Sequence, residues 1–168
     1  YARMTIAATQ KLKKFMYYIS KSVPVKINFS DMARDLELSR DELPKYLEYL
    51  EKAELVSVLR MKANGDAILR KMDKLYLQNS NMSYVLSGEN PDTGNARETI
   101  FYCWTKQKYD TVESPVSDFE IDGKTFEVGG RNKGKKQISN LKDAYVVKDT
   151  IEYVFDNQVP LWMFGFLY

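Results

Sequence analysis

The sequence contains no histidine. That removes imidazole acid–base chemistry, Ser-His triads and zinc–histidine sites from consideration. One cysteine, Cys103, excludes an internal disulfide and fits a reducing, cytoplasmic setting. Long apolar runs are missing as well. The longest, Leu161–Tyr168, falls far short of the ~20 residues a spanning helix needs, so no membrane association is expected, and no signal peptide is visible. Charge of one sign is scarce: 25 Lys and Arg against 23 Asp and Glu leave a net +2, too little to imply nucleic-acid binding alone. Low-complexity tracts and internal repeats are absent. With 44% hydrophobic and 29% charged residues, the 168-residue chain has the make-up of one or two small folded domains. It opens on Tyr1 rather than methionine, which leads to the expectation of a fragment of something longer.

The charge is unevenly placed. Residues 1–80 hold fifteen basic and ten acidic side chains, whereas 81–168 hold ten and thirteen. The first part reads as helical. Leu12, Phe15, Met16 and Ile19 make one apolar stripe in a helix over Ala2–Ser22, which Pro24 ends. Ser30 is placed to cap a short helix, Asp31–Leu38, with Met32, Leu36 and Leu38 inward. Ser39 and Glu42 form a capping box for the next helix, whose inner face is Leu43, Tyr46, Leu47 and Leu50. An extended stretch, Val56–Met61, a turn at Asn64-Gly65-Asp66 and a strand over Ala67–Leu69 follow. Helix, short helix, short helix and two-stranded wing make a winged helix-turn-helix layout over residues 1–75. The third helix sets Arg40, Lys45 and Lys52 against Asp41, Glu42, Glu48 and Glu51, a poor surface for phosphates. If nucleic acid is touched, the better candidates are Arg60, Lys62, Arg70, Lys71 and Lys74.

Residues 76–93 read as a linker holding the end of a strand (Lys74–Gln78), a short helix (Asn81–Leu86) and a polar loop (Gly88–Gly94). From 94 to 168 an α/β domain with a mixed sheet is expected. Its first helix is Asn95–Gln107, with Ile100, Phe101 and Trp104 as core and Glu98 in its first half. Then comes Ser117–Lys136, S-D-F-E-I-D-G-K-T-F-E-V-G-G-R-N-K-G-K-K. Asp122-Gly123 is a two-residue hairpin turn, since primed turns need φ > 0 at their centre. That turn makes Phe119 face Phe126 and Asp118 face Glu127. Phe119, Ile121, Phe126 and Val128 share one face; Asp118, Glu120 and Glu127 share the other. Opposed carboxylates repel, so the pair is either a solvated face or is neutralised by a metal or a basic side chain. A helix beginning in Lys135–Ser139, a strand at Ala144–Lys148, a turn at Asp156-Asn157 and an apolar end, P-L-W-M-F-G-F-L-Y, complete the chain.

Helix with Glu98, strand with Asp118, strand with Glu127, basic helix, strand: this order resembles the PD-(D/E)XK nuclease-like fold. The whole chain also resembles the C-terminal half of a prokaryotic family of AAA-type ATPases, in which a winged domain and then a nuclease-like domain of unknown function follow the ATPase. The matching stretches are S-R-D-E-L-P-K-Y-L-E-Y-L-E-K-A-E-L-V (39–56), K-L-Y-L-Q-N-S-N-M-S-Y-V-L (74–86), G-N-A-R-E-T-I-F (94–101) and D-F-E-I-D-G-K-T-F-E-V-G-G-R-N-K (118–133). The resemblance implies a site built from Glu98, Asp118 and Glu127 as Mg²⁺ ligands, with a lysine that positions water. The usual motif is E-x-K, and here the lysine position is Gly129. Lys133, Lys135 or Lys136 can supply the charge from elsewhere.

Gly129-x₄-Gly134-Lys135 also matches most of a phosphate-binding loop, but Lys136 stands where Ser or Thr should reach Mg²⁺. No nucleotide is expected on this part of the chain. The expected role is a regulatory or interaction region whose partner is the ATPase domain of the same polypeptide, with a degenerate nuclease-like site. The alternatives are a Mg²⁺-dependent endonuclease with a displaced lysine and a winged DNA-binding regulator. Weak nucleic-acid contact and self-association are further expectations.

Overall fold

The computed structural model describes residues 5–61, 74–88, 92–134 and 138–167. It is a mixed α+β protein of two compact units. The first runs through Val58 and resumes before β3. The second takes Leu59 onward and everything from Asp92. Among the described residues no helix is long and apolar enough to cross a membrane.

The first unit contains α1 (Ile6–Ser22), β1 (Val25–Lys26), α2 (Phe29–Leu36), α3 (Glu42–Lys52), β2 (Val56–Leu59, its last residue in the second unit), β3 (Lys74–Leu77) and α4 (Asn81–Ser87). Thr5 caps α1 by accepting the Ala8 N–H. Phe15, Met16 and Ile19 of the anticipated stripe are buried. α2 starts two residues before the expected Asp31. Asn28, not Ser30, is its cap: its side chain accepts the N–H groups of Ser30 and Asp31 while its own backbone is still extended. Glu37 ends α2 in the left-handed region. The capping box at α3 is present in both directions, with the Glu42 N–H on Ser39 Oγ at 3.2 Å and the Ser39 N–H on Glu42 Oε2 at 2.9 Å. Leu43, Tyr46, Leu47 and Leu50 are buried as their spacing implies.

The three strands lie in the order β1-β3-β2, with Val25 opposite Leu75 in an antiparallel pair. β3 is therefore the middle strand, and α4 packs on α1. The stretch 76–93 that reads as a linker thus carries structured elements of this unit. The expected turn at Asn64-Gly65-Asp66 and the strand Ala67–Leu69 lie outside the described residues.

The second unit contains α5 (Thr93–Thr105), β4 (Thr111–Glu113), β5 (Phe119–Ile121), β6 (Lys124–Gly129), β7 (Ala144–Lys148), β8 (Gln158–Pro160) and a 3₁₀ helix (Leu161–Phe166). One five-stranded sheet runs β4-β5-β6-β7-β8. The first two pairings are antiparallel, and β6 with β7 and β7 with β8 are parallel. The hairpin register is the one its turn implies: Phe119 faces Phe126, and Asp122 and Gly123 have φ of 49° and 77°. β4 and β8 are not anticipated by the sequence reading. Residues 138–140 form a turn, closed by the Leu141 N–H on the Ile138 carbonyl at 3.1 Å, rather than the continuation of a helix; residues 135–137 are outside the described set.

α5 lies on the Phe119/Phe126 face of the sheet. The Phe101 ring centroid is 5.0 Å from Phe119, 5.5 Å from Phe126 and 4.7 Å from Phe164 of the 3₁₀ helix. A Cβ on Gly165 would touch the Trp104 ring at 3.4–3.5 Å, so the 3₁₀ helix closes over that side of α5. On the opposite face Ile138, Ala144 and Val146 form a small core. Val146 is the register partner of Glu127, so the two point to the same side.

Candidate acidic site at the end of β6

Asp118 immediately precedes β5, and Glu127 follows Phe126 on β6, next to the Phe119–Phe126 pair that ends the hairpin ladder. Glu127 is only 1% exposed. A buried carboxylate needs partners for its oxygens, and two are present. The Ser117 hydroxyl donates to Oε2, and Lys133 Nζ lies 2.5 Å from Oε1. Asp118 turns Oδ2 to the backbone N–H of Val128 at 2.8 Å. Glu98, half-buried on α5, acts on the same ammonium through its charge. Burial works against the Lys133 charge. The hydrogen bond to Glu127 and the charges of Asp118, Glu127 and Glu98 outweigh it and raise the Lys133 pKa above its ordinary value.

Lys133 reaches this position over a glycine. A Cβ built on Gly129 would fall 2.4 Å from Lys133 Cγ and 2.5 Å from its Cβ. The lysine stem therefore occupies the room that a residue-129 side chain would take. Gly129 is two residues beyond Glu127 on the same face of β6. Of the three lysines considered, Lys133 is the one seen paired with Glu127; Lys135 and Lys136 lie outside the described residues.

The loop carrying Lys133 is anchored on each side. The Lys133 N–H returns to the Gly130 carbonyl at 3.0 Å. The Arg97 guanidinium lies against Gly130, 3.1–3.2 Å from where a Cβ would stand, and Arg97 Nε donates to Asp149 Oδ2 at 2.6 Å. Lys148, register partner of Gly129, donates to the Arg131 carbonyl at 3.4 Å. Arg97, Asp149 and Ser117 were not singled out from sequence. The Arg97–Asp149 pair depends on α5 lying near the end of β7, whereas Ser117, beside Asp118, acts within the hairpin and carries a local signal.

Glu98, Asp118 and Glu127 are the candidate Mg²⁺ ligands that the resemblance implies, at a site expected to be degenerate. Among the described residues no group of three or more Asp, Glu and Cys side chains is disposed to hold a metal ion. The Glu127 oxygens have Ser117 and Lys133 as partners, and Asp118 gives one oxygen to a backbone N–H. As arranged, the donor set does not fit a divalent cation.

The basic residues considered for nucleic acid are divided. Arg60 belongs to the second unit, where its carbonyl accepts the Glu113 N–H, and Lys74 opens β3 in the first. Lys62, Arg70 and Lys71 lie outside the described residues. The charges of α3 are partly spent internally, with Lys52 on Glu48 at 2.6 Å and Lys11 of α1 on Glu42 at 2.9 Å.

No curated protein and no solved structure matches this chain. A family model matches residues 2–93, which include α1 to α4 and end before the acidic site. That match spans more than half of the sequence, and the chain therefore belongs to the family described as a domain of unknown function, DUF8612.

Proposed function

We propose that the chain is a regulatory and interaction region: a winged first unit followed by a nuclease-like second unit whose acidic site is closed on an internal lysine. In this reading it serves an AAA-type ATPase domain of the same polypeptide. The observation that carries the closed site is the ion pair between Lys133 and a carboxylate that is 1% exposed. A carboxylate with a partner on each oxygen and an ammonium already beside it has less to offer a metal than an open pair of carboxylates would. The winged reading of the first unit is supported by its order of elements, helix, strand, helix, helix, strand, strand, and by the β1-β3-β2 sheet. The nuclease-like reading is supported by α5 ahead of the acidic hairpin and by a parallel strand after it.

A second reading, a Mg²⁺-dependent endonuclease with a displaced lysine, is favoured by one observation: Lys133 fills the volume of the side chain missing at Gly129. Incubation with single- and double-stranded DNA in Mg²⁺ or Mn²⁺ separates the two. The expected result is no cleavage above background, unchanged in Glu127→Gln. Robust cleavage lost in both Glu127→Gln and Lys133→Ala would establish the enzyme instead.

A further inference from the structure

We infer that Lys133 is a tethered counter-ion that stands in for a divalent cation in this pocket, and that Gly129 is the residue that admits it. The inference rests on the nuclease-like reading of Glu98, Asp118 and Glu127 and adds how that site is held shut.

The first argument is steric. Gly129 does not have a left-handed backbone, so its conformation does not demand glycine. The demand comes from space. The atoms that a Cβ at 129 would strike are Cβ, Cγ and Cδ of Lys133, at 2.5, 2.4 and 2.7 Å. These are the root of the side chain, and they cannot move aside while the ammonium stays on Glu127.

The second argument is electrostatic. A lone carboxylate on this face would be buried without a counter-charge, which is costly. The ammonium supplies one, 2.5 Å from Oε1, and also lies in the field of Asp118 and Glu98. A compact point charge with three donors does for these oxygens much of what a hard cation does. The third argument is placement. Gly130 on Arg97 and Arg131 on Lys148 hold the loop so that its lysine projects back over β6. Removing the ammonium should leave oxygens of the acidic set with an unmet need for positive charge, and divalent cations should then bind where they do not in the parent.

The test is a Mn²⁺ titration, by calorimetry and by the paramagnetic signal of free Mn²⁺, on the whole chain and its variants. The parent is expected to show no saturable binding. Lys133→Met should gain affinity by at least about tenfold, and Lys133→Met/Glu127→Gln should lose that gain. Gly129→Ala, which displaces the lysine but keeps its charge in the chain, should fall between parent and Lys133→Met. Should Lys133→Met fail to fold, Gly129→Ala carries the test. Equal Mn²⁺ binding by parent and variants, or no gain in either single variant, overturns the inference. Cleavage of DNA by the parent is a separate readout and overturns the functional reading, so the two failures are distinguishable.

Discussion

Replacing Lys133 with methionine keeps the aliphatic stem over Gly129 and removes only the charge. Its effect on stability can be worked from the pair it breaks. Removing one partner of a fully buried ion pair costs about 3–5 kcal/mol, because the other charge is left uncompensated. Glu127 meets that description at 1% exposure, but the Lys133 side chain is 34% exposed. Water can therefore take the place of the ammonium at Oε1, and Ser117 remains on Oε2. A cost of about 2–3 kcal/mol is the resulting expectation. With a urea slope of about 1–3 kcal/mol per molar, that lowers the midpoint by ~0.7–3 M. Both tryptophans, Trp104 and Trp162, lie in the second unit, so their fluorescence reports the unfolding of that unit. The double variant Lys133→Met/Glu127→Gln removes both charges and should recover most of the loss, since neutral replacements of a buried pair are often tolerated. A midpoint for Lys133→Met within error of the parent would mean that the pair is a surface contact. A double variant no more stable than the single would mean that the loss comes from packing, and either result refutes the argument.

Other perturbations probe the rest of the molecule. Glu42 is held down to about 2 from 4.5, first by the Ser39 backbone N–H, then by Lys11 and the Ser39 hydroxyl. A depressed carboxylate stabilises above its unfolded value and loses that contribution as pH falls toward the folded one, so Glu42→Gln should flatten the acid limb of helix loss seen by circular dichroism between those values. Burial pushes the Cys103 thiol up to about 11, with Lys106 drawing it partly back; thiol reagents at mildly alkaline pH should label it slowly in the folded chain and rapidly in denaturant. Phe101→Ala removes the ring shared by Phe119, Phe126 and Phe164 and should cost about 3–5 kcal/mol in the same urea assay. Duplex DNA should bind weakly and without sequence preference, because α3 presents carboxylates already paired with its lysine and with Lys11; nanomolar, sequence-selective binding in a titration at physiological salt would contradict this.

What could be read ahead of the structure was whatever local chemistry decides. Asp122-Gly123 specifies a two-residue turn, and a turn of known length sets the whole register of β5 and β6. The capping box at Ser39 and Glu42 is equally local. The cap of α2 was read at Ser30, a cap-type residue, and the helix instead starts earlier, on Asn28. β3 reads as a strand but looked like part of a linker, because its partner β1 is only two residues long and has no pattern of its own. β4 and β8, of three residues each, are too short to show alternation. In the acidic site, the register from Phe119–Phe126 to Ile121–Lys124 followed from the hairpin, while Asp118, just ahead of β5, accepts the Val128 N–H. The identity of the compensating lysine did not follow, since a loop residue's reach depends on the path of the backbone and not on a period.

Gly129 and Lys133 compete for one volume, and that has an evolutionary corollary. A chain can place a lysine directly on the strand two residues after the glutamate, or send one back from the loop over a glycine, but not both. The two positions should therefore change together across relatives. Chains with any side chain at the position of Gly129 should lack a long basic residue at that of Lys133, and chains with glycine there should carry one. The strand spacing that marks the site in the first kind is absent by construction in the second. If the nuclease-like reading holds, a search keyed to that spacing would divide one group of proteins into two.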